Sequence, residues 1–162
     1  MNNLSNLTII IVTYKTDIDI LKNCINSIDQ NIKIKIIENS NQKEFFNSTF
    51  DENEKLSITY TGKNLGYGAG NNYGFDLVDT DYAIVANPDI VFHKTFFENI
   101  KKYLDRDLDF TIIGSTYENK TPFSSFGLFK ENEKKIYKKD ISSKSGKLFN
   151  FLVKADWVTG CM

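Results

Sequence analysis

Polar residues capable of binding chemistry recur directly after short apolar runs. Thr13-Tyr14-Lys15 follows the first run, Glu38-Asn39-Ser40 the second, and Asn87-Pro88-Asp89 the fourth. Beyond the third run, Asn64, Gly66, Gly68 and Gly70 fall within the segment NLGYGAGNNYG. Any one cluster alone has the composition of a turn or a helix cap. Together they can line one crevice. Asp89 is a carboxylate held behind a proline. Magnesium and manganese take oxygen ligands, often one or two protein carboxylates plus substrate phosphates. A cation at Asp89 would neutralise a departing diphosphate. Glu38 has acceptor oxygens for a pyrimidine N–H or a ribose hydroxyl; the alternative is a solvated carboxylate at a strand end. The glycines permit close backbone approach and positive φ. Asn71 stands where a dinucleotide fingerprint requires its third glycine, and the Gly-Lys-Ser/Thr end of a phosphate loop is absent. Trp157, the single tryptophan, can stack on a sugar ring or fill a core. His93 reads as a surface residue at a helix start, with no catalytic role.

The elements that must position these groups alternate in type. Leu7 to Tyr14, LTIIIVTY, is the β-branched run of a strand covered on both faces. A helix is expected from Thr16, with Asp19 completing a weak capping box and Ile18, Leu21, Ile25 and Ile28 forming its apolar stripe. Strands are expected over Ile32 to Ile37, Leu56 to Thr61 and Tyr82 to Ala86, the last ended by Pro88. Lys43 to Phe50 is expected to be a short helix. Gly62 to Gly70 reads as a loop, and Asn71 to Val78 as the helix it feeds. Phe96, Phe97, Ile100, Tyr103 and Leu104 mark an amphipathic helix, and Phe110 to Gly114 a further strand. This alternation predicts an α/β sandwich with a central, mostly parallel sheet flanked by helices. In open sheets of this kind, ligands bind beyond the carboxyl ends of the strands, where all four polar clusters fall. After Ser115 the pattern changes. Tyr117 to Lys130 reads as a hairpin, Asn132 to Lys147 as a mobile surface loop, and Phe149 to Val158 as strand-like.

Bulk properties narrow the function classes. The 162 residues suit one compact domain. A net charge of −1 argues against a broad nucleic-acid footprint, so any anion site must be local. Cys24 and Cys161 form no paired motif, which fits a reduced, cytoplasmic setting. One histidine cannot build a zinc cluster. The start of the chain has no signal-peptide pattern, and no apolar run reaches transmembrane length. Peripheral membrane association is compatible with all of this.

Taken in order, TIIIVTYK, IIENSN, NLGYGAGNNYGF, AIVANPDIVF and DWVTGCM resemble family 2 glycosyltransferases, which use the GT-A (nucleotide-diphospho-sugar transferase) fold. The nearest flavour is the rhamnosyltransferase-like branch, where Asn-Pro-Asp stands in for the Asp-x-Asp metal motif. The resemblance implies an inverting sugar transfer from a UDP- or dTDP-linked donor to an acceptor hydroxyl, with manganese or magnesium as cofactor. It places Thr13, Tyr14, Glu38, Asn64, Gly66 and Asn87 around the nucleotide sugar, Asp89 on the metal, and Trp157 and Gly160 on the acceptor side. Glu38 replaces the usual aspartate, one methylene longer. By the same resemblance, residues 1–115 form the nucleotide-sugar-binding part and 116–162 an incomplete acceptor-binding part. Family members normally continue into an acidic pair that supplies the general base, so that base is expected beyond Met162. Apparent C-terminal truncation then predicts a chain that binds donor but transfers poorly. The implied acceptor is a glycan or lipid-linked glycan in surface polysaccharide or lipopolysaccharide assembly, at the inner face of the membrane. Two rival readings are a sugar-phosphate nucleotidyltransferase and a non-catalytic nucleotide-sugar-binding remnant. The first would want a glycine- and arginine-rich loop after the first strand, which VTYKTD lacks.

Overall fold

The computed structural model describes residues 4–40, 43–105, 128–129 and 157–158. The chain forms two compact units, Met1–Asp107 and Leu108–Met162.

In the first unit, four strands form one sheet: β1 (Leu7–Thr13), β2 (Lys33–Glu38), β3 (Leu56–Tyr60) and β4 (Tyr82–Ala86). Their order is β3-β2-β1-β4, and all three pairings are parallel. Central β1 is buried at every position, as its unbroken apolar run requires when helices cover both faces of a parallel sheet. Alternate residues serve the two faces. Ile9, Ile11, Ile34, Ile36 and Ile58 pack on one side with Leu21, Cys24 and Ile28, with Phe46, and with Phe97. These come from α1 (Ile18–Asn26) and the residues after it, from α2 (Lys43–Asn47) and from α4 (Phe96–Leu104). Ile10, Val12 and Ile37 face the other side, beneath α3 (Tyr67–Asp76) and Val78. The expected apolar stripe on α1 points inward: Leu21 and Ile28 are buried, and Ile18 and Ile25 pack against the same cluster.

Several boundaries differ from the sequence expectation by a few residues, and two of them flank the sheet edge. Helix α1 begins at Ile18, not Thr16. Its cap is Asp17, whose carboxylate accepts the N–H groups of Asp19 (2.9 Å) and Ile20 (3.2 Å). Thr16 uses its hydroxyl on the Tyr14 N–H instead (3.3 Å), closing the turn in which Lys15 takes a φ of 51°. The second difference is larger. Much of the expected glycine loop is helical, since α3 starts at Tyr67 with Gly66 (φ 79°) as its N-cap. Glycine disfavours helix by about 1 kcal/mol per residue, so GYGAG reads as loop from propensity. Packing outweighs that cost. A Cβ on Gly70 would lie 2.9 Å from Val12 Cγ1, and one on Gly74 would lie 2.5 Å from Ile10 Cγ2. Only glycine lets this helix approach β1 so closely.

In the second unit, β5 (Leu128–Phe129) pairs antiparallel with β6 (Trp157–Val158). The expected strand at Phe110 to Gly114, the loop at Asn132 to Lys147, and the remainder of the hairpin and of the Phe149 to Val158 segment lie outside the described residues.

Candidate functional site

All four strands run parallel, so the residues that follow them share one edge of the sheet. Thr13, Glu38 and Tyr60 stand in one row of the register across β1, β2 and β3. Thr13 is fully buried, and its hydroxyl points at the Ile37 carbonyl (3.5 Å). The groups that line the edge here are therefore Tyr14, which is 49% exposed, and Lys15, whose Nζ lies 5.4 Å from the centre of the Tyr14 ring. A non-glycine residue at positive φ stores backbone strain of about 1 kcal/mol or more.

Glu38 is fully buried, so the reading as a solvated carboxylate does not hold. Its Oε1 accepts the Ser40 N–H at 2.7 Å and also a short bond from the Ser40 hydroxyl. The carboxylate thus fixes the turn that follows β2. Its charge, behind burial and the charge of Glu52, helps raise the pKa of Tyr60.

Asn39 is the residue that sequence reasoning left out of the site. It is 2% exposed and joins three strand ends to α3. Its N–H donates to the Thr13 carbonyl (2.9 Å), its Nδ2 to the Gly66 carbonyl (3.3 Å), and its Oδ1 faces the Thr61 hydroxyl (2.9 Å). The signal was its place in the Glu-Asn-Ser cluster, but an asparagine there reads equally as a turn residue. Gly66 also receives order from Asn64, whose Oδ1 accepts the Gly66 N–H (2.8 Å). Asn64 and Gly66 are exposed, and the α3 N-terminus has no side-chain cap. Its first N–H groups are left for solvent or a ligand.

Beyond β4, Asn87 is half-buried and Asp89 exposed. The Asn87 carbonyl accepts the Cys24 thiol at 3.7 Å. Burial, and secondarily the charge of Asp89, push the Cys24 thiol up to about 11, so it stays protonated as a donor at neutral pH. Among the described residues no three His, Cys, Asp or Glu side chains gather as a metal cluster. A single exposed carboxylate fits a hard cation only when a ligand supplies most of the oxygens, which a diphosphate does. Alone, Asp89 offers too few oxygens to hold such a cation, and would suit one that brings further oxygen ligands with it. His93, exposed and bonded through Nδ1 to the Thr95 hydroxyl (2.9 Å), sits just before α4.

The sheet edge thus gathers Tyr14, Lys15, Glu38, Asn39, Asn64 and Gly66, with Asn87 and Asp89 at the end of β4. Trp157 belongs to β6 in the second unit, paired with Phe129. Gly160 lies outside the described residues. No helix among the described residues is long and apolar enough to cross a membrane.

Comparison with known proteins bears on what this edge serves. No curated protein sequence matches the chain. The crystal structure of S. aureus TarS residues 1–349 is similar in fold, with a TM-score of 0.52 and 11% identity. The match covers 76% of this chain and 41% of that one, so the chain spans less than half of that structure's length. The fold is GT-A, a parallel four-stranded sheet with flanking helices. The model of the family described as Glycosyl transferase family 2 matches residues 8–156, nearly the whole chain, and on that ground the chain belongs to glycosyl transferase family 2.

Proposed function

We propose that the first unit binds the nucleoside diphosphate of a UDP- or dTDP-linked sugar along the carboxyl edge of the sheet. The observation that carries this reading is the union of two features on one edge. One is the junction at the strand ends, where Asn39 ties Thr13, Thr61 and Gly66 together. The other is an exposed carboxylate, Asp89, beyond the neighbouring strand. Tyr14 offers an exposed ring for the base. Glu38 supports the base edge by holding the Ser40 turn through Oε1. Asn64 and Gly66 approach the ribose. Asp89, with the half-buried Asn87 beside it, holds manganese or magnesium together with the diphosphate. A cation there would lower the cost of charge on the leaving group.

The transfer forms a bond from an acceptor oxygen to the anomeric carbon and breaks the bond from that carbon to the diphosphate, with inversion. The acceptor proton passes to a general base that we assign to no residue of this chain. Trp157 and Gly160 would serve the acceptor side, a role supported by the sequence resemblance alone. The acceptor class, a glycan or lipid-linked glycan of surface polysaccharide assembly at the cytoplasmic face of the membrane, rests on the family alone. Membership in family 2 favours this reading over a sugar-phosphate nucleotidyltransferase.

Calorimetric titration of the chain with UDP- and dTDP-sugars, with and without manganese, tests the proposal. Saturable binding strengthened by manganese is expected. No binding of either donor would overturn it.

A further inference from the structure

The turn that carries Asp89 is pinned at both ends by one turn of α1. At its start, the Cys24 thiol donates to the Asn87 carbonyl at 3.7 Å. At its end, the Phe92 N–H donates to the Ser27 hydroxyl at 2.9 Å. Ser27 is the C-cap of α1, and its hydroxyl donates in turn to the Cys24 carbonyl at 2.6 Å. The two anchors are therefore linked to each other through the helix end. The Phe92 ring lies 5.0 Å from those of Phe96 and Phe97, which roots the far end of the turn on α4. Between the anchors, the turn's own support is a long 3.5 Å bond from the Ile90 N–H to the Asn87 carbonyl. Asp89 and Val91 stand exposed on its outer side. A segment with so little internal bonding takes its conformation from what holds its ends.

We infer that Ser27 and Cys24 are positioning residues for the metal carboxylate: they set where Asp89 stands relative to the strand edge, and through it the affinity for the cation of a nucleotide complex. This rests on the proposed role of Asp89. Neither residue touches donor or cation. The hydroxyl of Ser27 is the stronger of the two anchors, because it serves a backbone N–H at short range while the thiol bond is long and weak. Its effect should appear in the cation requirement and not in the affinity for the nucleoside, which lies along β1, β2 and α3.

The test uses the 162-residue chain, UDP and manganese. Ser27→Thr and Ser27→Val are nearly isosteric and differ in the hydroxyl alone. Manganese needed for half-maximal enhancement of UDP binding should rise about two- to ten-fold in Ser27→Val, the worth of one net hydrogen bond. Ser27→Thr should stay within about two-fold of the parent. UDP affinity without metal should be equal in all three. In an Asp89→Ala background the Thr and Val variants should no longer differ. Equal manganese requirements for Ser27→Val and Ser27→Thr would overturn the positioning role while leaving the role of Asp89 standing. Full manganese enhancement in Asp89→Ala alone would remove the metal site itself, and the inference with it. Should Ser27→Val fail to fold, Cys24→Ala decides on the same readout, with a smaller rise expected and an unchanged requirement counting against the inference.

Discussion

Adding one methyl group at Gly74 should unseat α3 from the sheet. The new Cβ would lie 2.5 Å from Ile10 Cγ2 and 3.3 Å from Ile37 Cγ1, and both isoleucines are fully buried. Ile10 sits in central β1, where its branched Cβ leaves little rotamer freedom, so the helix or the strand must move. Overpacking of this kind costs about 2–3 kcal/mol toward the upper end of its range. Alanine in place of glycine in a helix returns about 1 kcal/mol. Gly74→Ala should therefore lose about 1–2 kcal/mol, a fall in melting temperature of about 2–8 °C. Gly68→Ala is the control. It lies in the same helix with nothing within 4 Å of a built Cβ, and should gain about 0.5–1 kcal/mol. Urea denaturation followed by circular dichroism reads both. Equal stabilisation by the two substitutions would refute the close approach of α3 to β1. The consequence reaches the site, because the same helix presents Gly66 to the Asn39 side chain.

Other expectations follow from single contacts. Asp17→Ala should cost about 1 kcal/mol in denaturant unfolding, since it frees the Asp19 and Ile20 N–H groups at the start of α1. Lys15→Gly should stabilise the chain by about 1 kcal/mol by relieving its φ of 51°, and unchanged stability would mean that no strain is stored there. Cys24 has its thiol pushed up to about 11 in the folded state from 9.0. Above pH 9 the unfolded chain releases this proton while the folded chain keeps it, so stability should fall as pH rises from about 9 to 11. Cys24→Ala should flatten that fall, as measured by urea midpoints across this range. An unaltered slope would contradict the buried donor thiol.

What the sequence disclosed and what it withheld differ for physical reasons. The LTIIIVT run announces a strand covered on both faces because burial on two sides leaves no polar position, and β1 is buried throughout. The polar residues after each run were visible because strand ends must meet solvent or ligand, and parallel pairing brings them to one edge. The start of α3 was hidden because propensity counts glycine against a helix, whereas Gly70 and Gly74 are used for contact with Val12 and Ile10, residues 58 and 64 positions away. Glu38 looked open to water because its type is charged. Its burial is compensated in part by Ser40 two residues on, whose N–H and hydroxyl both turn back to it. The anchors of the Asp89 turn, Cys24 and Ser27, had no local signature, since the contacts span more than 60 residues of chain.

The central expectation is where a nucleotide and its cation bind. Crystals of the chain grown with UDP and manganese, with diffraction data collected for the anomalous signal of manganese, would locate both. A manganese peak is expected at the Asp89 carboxylate next to the diphosphate, with the uridine over Tyr14 and beside Asn64 and Gly66. A manganese ion coordinated away from Asp89, or a uridine off the carboxyl edge of the sheet, would contradict it.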